Sequence, residues 1–213
     1  MKFKQALNKY KLSTTLSKLQ EIRADYNRET ITVYQAYGKN IALPALKNQK
    51  FEAPFSFKRM TWIKPSYLWL MERSNWGHKS NQEYILGIKI GRVYWEDALA
   101  MGILTHPDQT IYPSGVEWEQ LFEKAKVHIQ WDPERNIHGG KTQVRSIQVG
   151  ISRQLIEVYN EEWITEIVDL TPLTKKIYGL RKQGKYKEAK RLLPSEKIYP
   201  LPLNIGKKIG VSL

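Results

Sequence analysis

Two stretches of the chain show the hydrophobic pattern of β-strands most clearly. In residues 29–37 (ETITVYQAY), Ile31 and Val33 alternate with Thr32 and Tyr34, and the segment is rich in the β-branched and aromatic residues typical of strands. Residues 83–90 (EYILGIKI) form a nearly continuous apolar run, which predicts a strand buried on both faces. Shorter patterns predict further strands at 58–63, 127–131 and 144–151.

A helical period dominates the last third of the chain. Apolar residues recur there at every fourth position: Leu155, Tyr159, Trp163 and Ile167. This spacing predicts one long amphipathic helix over 153–170. Thr171 and Pro172 then stop it and start another helix, with Thr171 as the N-cap. Gly184 ends that second helix.

Composition and the positions of proline and glycine predict the remaining elements. Helices are expected at 40–49, 65–75, 95–104, 117–126 and 185–193. The first of them requires Pro44 to lie in its first turn. Residues 132–135 (DPER) predict a turn, the segments 105–116 and 136–141 predict loops, and the tail is expected to be extended.

These elements predict an α+β fold. We expect a mixed or antiparallel split sheet of about five to six strands with flanking helices. The predicted units are a basic N-terminal arm (1–20), an α+β core domain (21–152) and a helical C-terminal subdomain packed on the core (153–213).

The segment 57–76 (FKRMTWIKPSYLWLMERSNW) concentrates candidate ligand-binding residues. Pro65 favours a strand that ends before it and a helix that begins after it. Lys64 and Ser66 then lie at a helix N-terminus, where free N–H groups and the helix dipole favour an anion. Arg59 and Arg73 flank this junction and are suited to bidentate phosphate contacts. The alternative is that the arginines pair with local acids such as Glu72.

Trp62, Trp69 and Trp76 are spaced seven residues apart within the same segment. Tryptophans interleaved with basic residues are able to stack on the bases of a nucleic acid. Tryptophan at helical spacing is, however, more often part of the core, and the sequence favours that interpretation.

The charge balance indicates an anionic partner. Lysine and arginine outnumber aspartate and glutamate by 34 − 21 = 13. Such an excess is typical of proteins that bind nucleic acids, nucleotides or other phosphorylated ligands. Much of it lies in segments 2–18 and 175–191, and solvated surface is the alternative explanation.

Other features narrow the class of protein. The chain has no cysteine, which excludes disulfides, thiolate metal sites and a cysteine nucleophile and is compatible with a cytoplasmic location. The four histidines lack zinc-ligand spacing, so no metal is expected. No apolar run approaches the ~20 residues of a membrane span, and no phosphate-binding glycine loop or nucleophile elbow is present.

Two further groups of residues are candidates for a site. Arg23 precedes the first long strand, which carries Tyr34 and Gln35, and residues at strand ends often line clefts. The alternative for Arg23 is a salt bridge with Asp25.

The second group lies on two later strands. It comprises Asp132 and Glu134 on one side, and Arg145 and Gln148 on the other. A carboxylate there is able to act as a general base. A structural pair across a hairpin is the interpretation that the sequence favours.

Five segments together resemble a known family: RADYNRETITVYQAY, RMTWIKPSYLWLMERSNWG, VHIQWDPERN, RSIQVGIS and LLPSEKIYPLP. They are similar to the family called domain of unknown function 4291, and the resemblance covers about residues 21–210. The resemblance implies no activity.

The order of elements also resembles the ADP-ribosyltransferase fold, in which NAD lies across a split sheet. By position, Gln35 stands at that fold's first motif, 62–66 at its second and 145–148 at its third. That fold places a glutamate on the late strand, whereas this chain has Gln148. A neutral amide does not stabilise a cationic centre as a carboxylate does, so Glu134 or Glu83 substitutes, the chain binds without transferring, or the analogy fails.

The leading hypothesis is therefore a nucleotide-handling enzyme, most specifically an ADP-ribosyltransferase-like protein that uses NAD and modifies a nucleic acid or another acceptor. In this hypothesis Gln35, Glu134 and Gln148 are catalytic. The ligand-binding residues are Arg23, Tyr34, Arg59, Trp62, Lys64, Ser66, Trp69, Arg73 and Arg145. The alternatives are a non-catalytic basic nucleic-acid-binding module and a structural or partner-binding protein.

Overall fold

The computed structural model describes residues 19–212, and these residues form nine strands, eight α-helices and one π-helical segment. Most of the predicted basic arm (1–20) lies outside the described residues. The α+β class predicted from the sequence is confirmed. Of the strands in this part of the chain, five are six residues or longer.

The strands in chain order are β1 (Arg23–Ala24), β2 (Thr30–Tyr37), β3 (Thr61–Ile63), β4 (Tyr84–Gly91), β5 (Ile103–Leu104), β6 (Val127–Arg135), β7 (Lys141–Ile151), β8 (Ile164–Asp169) and β9 (Lys197–Ile198). The helices are α1 (Lys39–Asn48), α2 (Tyr67–Ser74), α3 (Arg92–Met101), α4 (Gly115–Glu123), α5 (Ile156–Val158), α6 (Thr171–Lys182), α7 (Tyr186–Arg191) and α8 (Leu203–Lys208). The π-helical segment, Tyr159–Trp163, follows α5 directly.

The three-stranded sheet has the order β2-β4-β8 and is antiparallel throughout. Strand β4 lies at its centre, where Ile85, Leu86, Ile88 and Ile90 are fully buried. A central strand is covered on both faces, which explains the nearly continuous apolar run in its sequence.

The four-stranded sheet has the order β3-β7-β6-β5, and β1 pairs with β9 in a separate two-stranded ribbon. Strands β6 and β7 form a long hairpin. One face of this hairpin is apolar, with Ile129, Ile147 and Val149 fully buried. Because side chains alternate across a strand, the other face carries the polar residues Gln130, Asp132 and Gln148, which line the cleft described below.

The two larger sheets meet where β2 and β3 run side by side. Tyr34 and Lys64 form an isolated antiparallel bridge, in which the Tyr34 N–H donates to the Lys64 carbonyl over 2.6 Å. A single bridge joins the edges without merging the sheets, so they diverge and leave a space beside β3.

The predicted long helix over 153–170 is wrong. Only Ile156–Val158 and the π-helical turn after it are helical, and Ile164–Asp169 forms strand β8. Ile164 and Ile167 are buried while Thr165 and Glu166 are exposed, because β8 uses one face to cover the core. Pairing with β4 and β-branched composition outweigh the four-residue spacing. The division of the chain at residue 152 stays a prediction.

The predicted turn at 132–135 is also wrong, since β6 continues to Arg135. Its register against β7 shifts between Pro133 and Arg135. Strand β5 pairs with β6 only at His128 and Ile129, so the proline lies on an otherwise free edge, where proline is tolerated.

Several helix ends differ from the sequence-based expectation. Pro44 lies in the second turn of α1 and not in the first. Thr171 is the first residue of α6, not its cap, and its hydroxyl accepts a hydrogen bond from the Ile85 N–H over 3.0 Å. The tail YPLPLN (199–204) was predicted to be extended, but its last two residues begin helix α8.

Candidate functional site

A cleft of about 570 Å³ opens beside β2 and β3, the edge strands at which the two larger sheets meet. Strands β2, β3, β6 and β7, helix α2 and the loop before β3 form its walls. Nine of the residues predicted from the sequence line it: Tyr34, Gln35, Arg59, Trp62, Lys64, Trp69, Arg73, Asp132 and Gln148. We call this space the sheet-junction cleft.

Lys64 lies in the wall of the sheet-junction cleft and is 2% exposed. Its Nζ is 3.1 Å from Oδ2 of Asp132 and 3.0 Å from the centre of the Trp69 ring. The amine therefore contacts one carboxylate and one aromatic face. A lysine is almost never buried to this extent unless its charge is paired, as it is here with Asp132.

Burial lowers the pKa of Lys64 from 10.5 to about 7. The negative charges of Asp132 and Glu134 oppose this shift, and the positive charge of Arg73 adds to it. Loss of water from around an ammonium group disfavours its charged form. About half of the Lys64 side chains consequently carry a neutral amine near pH 7.

Arg59 and Arg73 are exposed at the mouth of the cleft. Neither forms a salt bridge within residues 19–212. Glu72, the acid that the sequence offered as a partner, instead lies 3.4 Å from Arg135. The guanidinium groups of Arg59 and Arg73 are thus available for an anionic ligand.

The tryptophans divide between cleft and core. Trp62 and Trp69 are partly exposed and line the cleft, whereas Trp76 is 6% exposed and packs in the core. The Trp62 ring lies on Gly150, where an added Cβ would come within 3.0 Å of two ring carbons. Only glycine at this position of β7 leaves room for the ring.

Gln35 is buried in the cleft wall with its amide fully engaged. Its Nε2 donates to the Thr61 hydroxyl (2.8 Å), the Trp62 carbonyl (3.0 Å) and the Tyr37 hydroxyl (3.0 Å). Its Oε1 accepts from the Tyr159 hydroxyl over 3.2 Å. These bonds tie β2 to β3, so the primary role visible for this amide is structural.

Gln148 differs from Gln35 although both line the cleft. Within the described part of the chain, no hydrogen bond engages the Gln148 amide. The buried hydroxyl of Tyr34 likewise has no partner there, and burial raises the pKa of this phenol well above 10. The cleft therefore offers the Gln148 amide to a ligand, whereas the Tyr34 hydroxyl is buried from solvent.

The carboxylate that lines the cleft belongs to Asp132. Its side chain is 18% exposed, and Oδ1 accepts from Nε2 of Gln130 over 3.0 Å while Oδ2 faces Lys64. Glu134 does not line the cleft, and its Oε1 accepts from the Arg135 N–H over 2.6 Å. The sequence named both acids, but only the strand register distinguishes them.

The anion site predicted at the start of α2 is occupied by the protein itself. Ser66 caps the helix by accepting from the Trp69 N–H over 3.2 Å. Oε1 of Glu196 accepts from the Tyr67 N–H over 2.7 Å. Glu196 is partly exposed, yet burial of its carboxyl group raises its pKa to about 8. Ser66 lies outside the cleft lining.

Arg23 and Arg145 also lie outside the cleft lining. Arg23 pairs with Glu21 over 3.0 Å rather than with Asp25, and it donates to the Glu196 carbonyl. Arg145 donates to the Trp131 carbonyl within the β6–β7 hairpin. Both side chains hold neighbouring segments together.

Residues 19–212 show neither a candidate metal site nor a membrane-spanning helix. These residues contain no group of three or more histidine, aspartate or glutamate side chains placed to hold a metal ion. No helix among them is both long enough and apolar enough to cross a membrane.

Comparison with known proteins places the chain in a family. Residues 21–199 match the family model described as Domain of unknown function (DUF4291), which is well over half of the 213 residues. No curated protein matches the chain. The match includes every residue that lines the sheet-junction cleft. The chain therefore belongs to the DUF4291 family, as the five sequence segments indicated.

Proposed function

We propose that the sheet-junction cleft binds a nucleotide and that the protein is an ADP-ribosyltransferase-like enzyme that uses NAD. The observation that carries this proposal is the composition of the cleft. Two exposed arginines stand at its mouth, two tryptophan rings line its wall, and the cleft lies at the junction of two sheets.

Each part of a dinucleotide has a matching group in the cleft. Arg59 and Arg73 are suited to the pyrophosphate, because a guanidinium group binds phosphate oxygens in pairs. Trp62 and Trp69 offer flat faces to an adenine or nicotinamide ring. Gln148 supplies a polar group for a ribose or a carboxamide. The volume of about 570 Å³ lies within the range of small-ligand sites.

Asp132 is the residue that we propose in place of the missing late-strand glutamate. It lies on β6 beside β7, opposite Ser146 and two residues beyond the Gln130–Gln148 pair. A carboxylate there would stabilise the positive charge that develops on a ribosyl carbon as its bond to nicotinamide breaks. When Lys64 is neutral, the charge of Asp132 is not compensated by that amine.

Ligand stabilisation tests this function. NAD or ADP-ribose is expected to raise the Tm of the full chain, since a ligand that binds only the folded state stabilises it by mass action. The double variant Arg59→Ala/Arg73→Ala should reduce affinity by at least about tenfold, because hydrogen bonds to charged groups are worth about 1.5–3 kcal/mol each.

Arg153→Ala is the matched control, since Arg153 is exposed and outside the cleft lining. Its response to NAD should equal that of the parent. Equal shifts in the double variant and the parent would place the ligand elsewhere. No shift with either nucleotide would remove the NAD proposal.

A second candidate function, binding of a nucleic acid, is favoured by helices α6 and α7. Residues 171–191 contain one acidic residue, Glu188. Seven basic side chains in this segment are exposed: Lys175, Lys176, Lys182, Lys185, Lys187, Lys190 and Arg191. A surface with this charge is suited to contact successive phosphates of a nucleic-acid backbone. Such a surface would also serve an enzyme whose acceptor is a nucleic acid.

Charge reversal on α7 tests this surface. The double variant Lys187→Glu/Lys190→Glu should bind a single-stranded oligonucleotide more weakly. Its plot of log K against log salt should be shallower by about 1.4, or about 0.7 for each lost phosphate contact. The control is Lys39→Glu/Lys47→Glu, which makes the same charge change at exposed positions of α1. Equal slopes for both variants would mean that α7 does not contact the oligonucleotide.

A further inference from the structure

Lys64 has a geometry that phosphate binding does not require. A group that binds phosphate needs a stable positive charge, and the guanidinium groups of Arg59 and Arg73 carry one at the cleft mouth. The Lys64 side chain is 3% exposed, lies deeper in the wall and faces Asp132 and the Trp69 ring. This environment is typical of lysines that act as nucleophiles.

We propose that Lys64 is a nucleophile that forms a reversible imine with a phosphorylated aldehyde, such as the open-chain form of a reducing sugar phosphate. This activity goes beyond NAD binding and does not require it.

The surroundings of Nζ supply the two conditions for imine formation. A nucleophilic amine must be neutral, and burial lowers the pKa of Lys64 to about 7, so a large fraction is neutral at physiological pH. An acid–base group must also be close, and Oδ2 of Asp132 is 3.1 Å away. A lysine amine in water is almost fully protonated at that pH, since its reference pKa is about 10.4.

The cleft mouth selects the ligand class. Arg59 and Arg73 line the same cleft as Lys64 and, among the described residues, form no salt bridge. A phosphate held by these guanidinium groups would leave the other end of a small sugar within the cleft. An aldehyde without a phosphate would lack this anchor.

The reaction balances without a further reactant. The Nζ lone pair attacks the carbonyl carbon and forms a C–N bond, while the C=O π bond breaks and Asp132 passes the first of the two amine protons from nitrogen to the carbonyl oxygen. The resulting carbinolamine loses one water molecule, with Asp132 carrying the proton from nitrogen to the departing hydroxyl. Addition of water reverses the step and restores the amine and the aldehyde.

Reductive trapping on the full chain tests the proposal. The protein is incubated with ribose 5-phosphate and cyanoborohydride near pH 7, and lysine peptides are quantified by mass spectrometry. Lys64 is expected to gain one reduced pentose phosphate at least about tenfold faster than exposed lysines, as its lower pKa predicts. The reference is Lys58, which is exposed and outside the cleft lining.

Three comparisons make the outcome specific. Trapping at Lys64 should increase as the pH rises through about 7. Arg59→Ala/Arg73→Ala should slow trapping by ribose 5-phosphate but not by ribose. Lys64→Arg should abolish the modified peptide.

Labelling of Lys64 no faster than Lys58 in the parent protein would overturn the proposal, and this result does not depend on whether any variant folds. The outcome is also separate from the NAD experiment. Trapping at Lys64 without a Tm shift from NAD would retain the nucleophile and reject the transferase.

Discussion

Replacing Gln35 by leucine is expected to lower the free energy of unfolding by about 3–5 kcal/mol. The amide of Gln35 holds the Thr61 hydroxyl, the Trp62 carbonyl and the hydroxyls of Tyr37 and Tyr159. Leucine would leave these groups in place without the partner they share. A buried polar group that loses its hydrogen bond costs about 1–3 kcal/mol. Urea unfolding at constant pH measures the difference.

Gln148→Leu is the matched control, because Gln148 lines the same cleft and the structure of residues 19–212 shows no hydrogen bond to its amide. This variant should change stability by less than about 1 kcal/mol. If the proposed function is correct, it should weaken binding of NAD. Similar stability losses in both variants would mean that Gln35 does not join β2 to β3 as the geometry indicates.

Replacing Lys64 by methionine is expected to raise the free energy of unfolding at pH 7 by on the order of 1–4 kcal/mol, because the loss of a buried charge outweighs the loss of the partner of Asp132. The folded protein binds a proton at Lys64 with a pKa of about 7, while the unfolded chain does so at 10.5. Each pKa unit corresponds to about 1.36 kcal/mol. Methionine fills a similar volume without this penalty. Asp132 keeps its hydrogen bond from Gln130 and its contact with solvent.

The pH dependence identifies the cause of this effect. Below pH 7 both states of the parent carry a charged Lys64, and the penalty is complete. Between about pH 7 and 10.5 the unfolded chain binds more protons, so the stability of the parent rises with pH. The advantage of Lys64→Met should therefore shrink over this range and disappear near pH 10.5.

Glu196 changes the pH dependence of stability in the opposite direction to Lys64, because burial raises the pKa of Glu196 to about 8. Its folded form retains a proton that the unfolded chain releases above 4.5, so its contribution to stability falls between about pH 4.5 and 8. Comparing Lys64→Met with the parent at each pH cancels this effect. Lys58→Met, at an exposed position, should remain within about 0.5 kcal/mol of the parent. A loss of stability in Lys64→Met at pH 7 would show that the Lys64–Asp132 pair is net stabilising.

A higher free energy of unfolding in Lys64→Met would also indicate that Lys64 has a functional role. Buried charged groups that lower stability are retained where they serve a site. The same variant should lose aldehyde trapping. Gain of stability together with loss of chemistry would thus distinguish a functional lysine from a structural one.

The part of the site that lies within one short segment could be predicted from the sequence. Arg59, Trp62, Lys64, Trp69 and Arg73 lie within one short segment, and Pro65 marks the boundary between its strand and its helix. The alternation in β2 and the apolar run in β4 were equally local signals, and both strands form within a residue of the predicted ends. Hydrophobic period and proline geometry act between near neighbours, so the sequence by itself determined these elements and brought five of the cleft-lining residues together in one segment.

Tertiary structure decided the partners of those residues. Lys64 meets Asp132 across 68 positions, and the Tyr67 N–H meets Glu196 across 129. Tertiary structure also decided the conformation of β8. The spacing of its apolar residues predicted a helix, but the segment forms a strand because it pairs with β4. Such contacts depend on strand register and on which edges meet. A one-residue change of register would turn Asp132 to the opposite face of β6, and no pattern within the segment records that choice.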